Sequence, residues 1–234
     1  MGRALARHLV EGGHRVFLLG RNLDDLSRSA ADLRVRVPEA KVAFFQCDLE
    51  QPESFDRALA AADAFLGRAD TVIVTAGVFA TQAALEADPD LARKLLTVNF
   101  ANTIVFCEAA RKRLLANGGG TLCVFSSVAG DRGRKPVAIY GASKAGLTHY
   151  LESLDHKFRA AGLRTICVKP GFVKTAMTAG LPAPPFAGEP EAVARTVLHA
   201  IKAGSPVVYA PGIWRWVMLV IRLLPRFVMR KINF

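Results

Sequence analysis

Short apolar runs alternating with helix-patterned stretches constrain this chain more than any other feature. The runs are Arg15–Gly20, Lys41–Asp48, Thr71–Val74, Thr121–Ser126, Arg164–Lys169 and Val207–Ala210. They read as strands apolar enough to be buried on both faces. Between them lie helical stretches at Gly2–Glu11, Asn22–Val35, Gln51–Leu66, Asp88–Ala116, Ala138–Ala161 and Pro190–Ala203. Strand and helix in strict alternation imply one architecture, an α/β fold with a doubly wound parallel sheet. The loops are short except for Gly171–Gly188, and no linker or repeat divides the chain. Residues 1–210 are therefore expected to form one catalytic domain, with 211–234 as its tail.

The chain opens on a helix with no strand before it. Met1-Gly2-Arg3 runs directly into Ala4-Leu5-Ala6, whereas a nucleotide-binding βαβ unit begins with a strand and a Gly-rich turn. The sheet is accordingly expected to lack its first strand. Met1 then reads as an internal methionine, because a strand of about 5–6 residues and its Gly-rich turn would be expected before it.

Composition narrows the setting. At 234 residues, 51% hydrophobic and 22% charged, the chain has enough apolar material for a single core. Cys47, Cys107, Cys123 and Cys167 form no CxxC pair, and three of them fall in strands, so reduced buried thiols in a cytoplasmic setting are expected rather than disulfides or a metal site. The first apolar run is broken by Arg7 and His8, which excludes a secretory signal there. A net charge of +11 is spread along the chain without a basic, aromatic-interleaved patch, which argues against nucleic acid as a partner.

The chemistry concentrates at Tyr140-Gly-Ala-Ser-Lys144. A spacing of four puts both side chains on one helix face. An ammonium beside a phenol favours the phenolate and lowers the tyrosine pKa, which suits a proton donor to a carbonyl. Ser126-Ser127 closes the preceding strand, where open α/β sheets bind ligands. Asn99 interrupts an apolar helix, where an amide needs a partner; it reads as a functional residue or as a packing and kink residue.

Together these residues resemble the short-chain dehydrogenase/reductase family, a Rossmann-type fold, over nearly the whole chain. The resemblance implies a tetrad of Asn99, Ser127, Tyr140 and Lys144. Tyr140 would protonate the carbonyl oxygen, Ser127 would hydrogen-bond it, Lys144 would tune Tyr140 and hold the nicotinamide ribose, and Asn99 would anchor a proton-relay water. It also implies cofactor contacts at Gly2, the last glycine of the phosphate loop, and at Asp48 and Leu49 beside the adenine. Ala76 and Gly77 match the family's Asn-Asn-Ala-Gly, whose first Asn is Val74 here; Pro170, Gly171 and Thr175 match its PGxxxT stretch. Where relatives selective for NAD end their second strand with an acidic residue, this chain has Gly20 followed by Arg21. A guanidinium pairs with a 2′-phosphate that a carboxylate would repel, so NADP(H) is expected over NAD(H). The bland alternative is an ordinary solvated arginine.

After Pro211 the chain is basic and apolar at once, with no acidic residue beyond Glu191. On a helix, Arg215, Arg222, Arg226 and Arg230 fall within roughly 80° of one another. Pro225 should break this helix in two. Residues 213–231 suit a membrane interface on its inner face, or equally a helix packed on the domain or on a sister subunit. The C-terminal half resembles, within the family, reductases of polyprenyl-phosphate-linked ketosugars, through Ser126-Ser127-x-Ala-Gly130-x-Arg132-x-Arg134 and the tail. The loop Met177–Phe186 reads as a lid over a greasy substrate or as a packed surface loop. The readings that follow are a membrane-associated ketone reductase acting on a lipid or lipid-linked sugar, a reductase of soluble ketones in a homo-oligomer, and a non-catalytic NADPH-binding remnant.

Overall fold

Every strand pairing is parallel, and the sheet comes in two pieces. The computed structural model describes residues 1–232. In it β1 (Val16–Gly20) pairs with β2 (Val42–Gln46), with Val16 opposite Val42 and Gly20 opposite Gln46. Separately, β3 (Thr71–Val74), β4 (Gly120–Phe125), β5 (Leu163–Pro170) and β6 (Val207–Ala210) form a second sheet in that order. β4 and β5 run side by side through Phe125 opposite Val168, and β5 meets β6 through Pro170 opposite Ala210. The central strands are buried along almost their whole length, as their unbroken apolar runs require.

Helices cover both faces. On one, α3 (Phe55–Leu66), α6 (Asn102–Ala116) and α7 (Ala138–Phe158) pack Phe55, Leu59, Phe106, Leu114, Leu147 and Leu151 against the sheet. On the other, α1 (Gly2–Glu11) and α8 (Pro190–Ala203) bury Leu5, Val193 and Val197 against Ile166 and Val168. The helix α2 (Leu23–Arg36) closes over β1 and β2 through Ala30 and Leu33, starting at an Asn22 side chain that accepts from the Asp25 amide at 2.8 Å.

Where the two sheets face each other, β1 and β3 present unpaired edges to a cavity of about 1980 Å³. Phe17, Leu18 and Leu19 line it from one side, Thr71, Ile73 and Thr75 from the other, and Leu5 and Leu9 from α1. This gap lies where the sequence leads one to expect an absent strand.

The stretch Asp88–Ala116 is not the single helix expected. It divides into α5 (Pro89–Leu96), a π-helical turn at Thr97–Ala101 and α6, preceded by the short α4 (Gln82–Ala87). The Asp88 side chain starts α5 by accepting from the amides of Asp90 and Leu91. The tail forms α9 (Trp214–Leu223) and α10 (Arg226–Met229), separated at Pro225 as expected; its last two residues lie outside those described. Trp214, Met218 and Ile221, one stripe of α9, are buried against Val128. The opposite stripe stays open, with Trp216 62%, Val220 62%, Leu223 76% and Phe227 63% exposed. One face of the tail thus packs on the domain while a second apolar face meets solvent. No described helix is long and apolar enough to cross a membrane.

Candidate active site

The strand β4 ends by handing two serines to different tasks. The Ser126 hydroxyl donates to the Lys144 carbonyl at 2.9 Å and sits 2.7 Å from Thr148 Oγ1, tying the strand end to α7. Ser127 faces the other way, its Oγ accepting from the Ala129 amide at 3.0 Å. The turn that follows, Val128–Gly130, lies flush on α7. A Cβ at Gly130 would stand 2.7 Å from the Ala145 nitrogen, so only glycine permits this approach.

Tyr140 lies in the first turn of α7, and the Ser127 hydroxyl is near enough to favour its phenolate. Its ring is met edge-on by Phe79 at a centroid distance of 5.2 Å. Lys144, one turn further along, is buried, and its ammonium donates to the Phe125 carbonyl at 3.0 Å. That ammonium lies 5.9 Å from the centre of the Tyr140 ring. The expected lowering of the tyrosine pKa is therefore not what this geometry gives. Burial pushes Tyr140 up, and the nearby Ser127 hydroxyl opposes this without reversing it. Lys144 carries the large displacement instead, pushed down to about 8 by loss of solvation.

Asn99 occupies the π-helical turn and is fully buried. Its Oδ1 accepts from the Val78 amide and its Nδ2 donates to the Val78 carbonyl, both at 2.8 Å. A π turn at this point rotates the amide inward, a distortion often found at functional sites. Gly77 closes the cluster. A Cβ there would stand 3.2 Å from Asn99 Oδ1 and 3.6 Å from Lys144 Nζ. The structure thus gathers Asn99, Ser127, Tyr140 and Lys144 at the carboxyl ends of β3 and β4.

The expected cofactor contacts spread outward from there. Asp48, Leu49, Ala76 and Gly77 line a second cavity of about 380 Å³ together with Gly20 and Arg21. Leu49 is fixed through its carbonyl, which accepts from Asn102 Nδ2 at 2.6 Å. Gly2, at the start of α1, and Thr175 line the larger cavity, as do Gly20 and Arg21. Arg21 is exposed, and Gln46 donates to its carbonyl at 2.8 Å. Pro170 and Gly171 line neither cavity. Pro170 pairs with Ala210, and Gly171 is required by the Trp214 indole, which a Cβ there would strike at 2.0 Å. A dinucleotide fits this arrangement: small residues at Gly20, Ala76 and Gly77 leave room along the strand ends, and a buried cation waits at Lys144.

Sequence reasoning overlooked Phe79, Trp214 and a buried cluster of Asp131, Lys169 and Tyr209. None of them is itself a defined position of the motifs read from the sequence, and only the fold brings Asp131, Lys169 and Tyr209 together.

A doubly wound sheet with a buried Ser, Lys and Asn and a half-buried Tyr at its ligand-binding edge defines an oxidoreductase of the dinucleotide-dependent class. The family signature described as short chain dehydrogenase matches residues 1–184, and the chain belongs to that family. It is 33% identical over 231 residues to an uncharacterized oxidoreductase of Mycobacterium tuberculosis, covering 99% of this chain and 92% of the relative. It is 28% identical over 212 residues to carbonyl reductase family member 4 of Xenopus tropicalis, covering 87% of each. Among solved structures, levodione reductase superposes with a TM-score of 0.81 at 21% identity, over 90% of this chain and 92% of that one. A short-chain dehydrogenase/reductase of Mycobacterium ulcerans gives 0.80 at 22% identity, over 89% and 82%. The fold implies a cofactor of the NAD(P) type.

Proposed function

We propose that this protein is an NADPH-dependent carbonyl reductase that converts a ketone to a secondary alcohol on a lipid or lipid-linked sugar. The observation that carries the reading is the convergence of Ser127 at the end of β4, Tyr140 in the first turn of α7 and the buried ammonium of Lys144, 5.9 Å from the Tyr140 ring. A bound reduced nicotinamide would supply hydride to the carbonyl carbon. Tyr140, held protonated by burial, gives its proton to the carbonyl oxygen as that oxygen gains charge. Ser127 donates to the same oxygen and keeps it in line with the phenol. Lys144 holds the ribose and, once turned from Phe125, supplies positive charge to the phenolate left behind. Asn99 keeps the turn at Val78 in place and offers its amide to a relay water.

Gly20, Ala76, Gly77, Asp48 and Leu49 would hold the adenosine half, with Gly2 and Thr175 toward the diphosphate and Pro170 and Gly171 toward the carboxamide. Arg21 would meet a 2′-phosphate, which favours NADP(H). The lipid-linked substrate is supported by the open apolar stripe of α9 with its arginines, and by the motif-level resemblance, read from the sequence, of the C-terminal half to reductases of polyprenyl-phosphate-linked ketosugars. That tail would hold the protein peripherally on an anionic membrane, as a homo-oligomer like many of its family. The gap between β1 and β3 favours a second reading, a cofactor-binding module without turnover.

Ketone-dependent oxidation of NADPH, compared between the native protein and Tyr140→Phe, separates the two. Turnover that falls about 10²- to 10⁴-fold in the variant, with NADPH binding retained, supports the reductase. NADPH binding without turnover of any polyprenyl-phosphate ketosugar or simple ketone overturns it.

A further inference from the structure

Behind the serine turn lies a cluster of titratable groups that the proposed chemistry does not use. Asp131, the residue that closes the turn Val128–Gly130, buries its carboxylate between two partners. Lys169 Nζ binds Oδ1 at 2.6 Å, and the Tyr209 hydroxyl donates to Oδ2 at 2.8 Å. The side chains of Asp131 and Lys169 are 2% and 9% exposed, and the ammonium also lies 5.6 Å from the centre of the Tyr209 ring.

Three elements meet there: the serine turn, the end of β5 one residue before Pro170, and β6 just before the tail. The next residues extend the connection. Arg132 donates to the Leu224 carbonyl at 3.0 Å and Lys135 to the Arg230 carbonyl at 2.7 Å, each near the end of a tail helix. Val128 packs under Trp214, Met218 and Ile221. The serine turn is thus gripped on one side by α7 and on the other by the C-terminal segment.

A buried ion pair is a poor source of net stability, since apolar residues of similar volume hold strands together as well. What it does supply is directional geometry. We propose that Asp131 is a positioning residue for Ser127, clamped by Lys169 and Tyr209 so that the C-terminal segment sets where the serine hydroxyl stands relative to Tyr140. This rests on the reading of Ser127 and Tyr140 as partners in proton donation. The path is short. The Asp131 amide donates to the Val128 carbonyl at 3.2 Å, the Gly130 amide to the Ser127 carbonyl at 3.1 Å, and the Ala129 amide to Ser127 Oγ at 3.0 Å. Releasing Asp131 loosens the bond that aims the hydroxyl.

The test uses the full chain with Tyr209→Phe, which removes one hydroxyl and keeps the ring on Lys169, and Asp131→Asn as a second variant. Amide hydrogen exchange is read at Ala129, Gly130 and Asp131 and, as a control for global stability, at Leu122–Val124 in β4. Loss of one buried hydrogen bond is expected to speed exchange in the turn by about five- to twenty-fold while β4 is unchanged. Where the native protein reduces a ketone, kcat should fall by about the same factor with the KM for NADPH unchanged. Exchange that stays the same, or that rises equally in β4, overturns the proposal. Because exchange needs no turnover, a protein that reduces no ketone would sink the reductase reading alone.

Discussion

The Lys144 ammonium and the Phe125 carbonyl oxygen stand 3.0 Å apart, joining the helix that carries Tyr140 to the strand that leads into Ser127. This bond satisfies one donor of a group that water would otherwise surround, and the cost of burial remains visible in a pKa pushed down to about 8. The site therefore holds a cation that destabilises the fold near neutral pH, a cost characteristic of functional positions.

Replacing Lys144 with Met should for that reason raise stability while abolishing turnover. The native lysine loses its proton near pH 8 in the folded state and near its ordinary value of 10.5 when unfolded. Between those pH values the unfolded chain binds more protons, so the stability of the native protein rises with pH there. The variant lacks this dependence. Its advantage, on the order of 1–3 kcal/mol after allowing for the Phe125 carbonyl left unpaired, should be complete below pH 8 and fade toward pH 10.5. Urea unfolding of both proteins across that range measures it, and a variant less stable at pH 7 would refute the argument.

Asn99 makes two bonds to a single residue, the amide and the carbonyl of Val78. Asn99→Ala would leave both backbone groups buried without partners, at a cost of about 2–4 kcal/mol. For a chain of this size that lowers Tm by about 5–15 °C. Asn99→Asp should restore the Val78 amide bond only, and fall between. Calorimetry checks the order; an alanine variant that melts with the native protein would show that the π turn relaxes without loss.

If Arg21 meets the 2′-phosphate as proposed, its removal should change cofactor choice and little else, because it is exposed and Gln46 touches only its backbone. A charge-assisted bond to a phosphate is worth about 1.5–3 kcal/mol, so Arg21→Ala should lower the NADPH/NADH ratio of kcat/KM by about ten- to a hundredfold. Thermal stability should not move. An unchanged ratio would assign the 2′-phosphate to another cation or to none.

The outline of this fold was legible because burial on both faces writes strands as unbroken apolar runs; β6 lies at the expected residues, and α1 and α8 do too. The nearness of Ser127, Tyr140 and Lys144 was legible because a strand end and a helix spacing of four place them; their reading as a tetrad with Asn99 came from the family resemblance. The division of the Asp88–Ala116 stretch was hidden, since Pro89 suits the first turn of a helix as well as a break and nothing local marks a π turn. The direction of the Tyr140 pKa was misread because sequence gives the distance to Lys144 along the helix but not where the ammonium points. Asp131, Lys169 and Tyr209 lie far apart in the chain, and their meeting depends on the order of β4, β5 and β6.

The tail offers the last prediction. Trp216, Val220, Leu223 and Phe227 project from the side of α9 and α10 opposite the packed stripe, with Arg215, Arg222 and Arg226 exposed among them. Because these four apolar side chains support no described core, changing them to serine should leave folding intact. Apolar area plus arginine charge should nevertheless bind anionic bilayers, with an affinity that drops as salt rises. Sedimentation with phosphatidylglycerol-containing vesicles is expected for the native protein at low salt and is expected to weaken at least about tenfold in the quadruple variant. Equal sedimentation of both would assign membrane binding to charge alone, and a native protein left in the supernatant would leave the open stripe to a sister subunit, visible as a change in oligomeric state on making the same four substitutions.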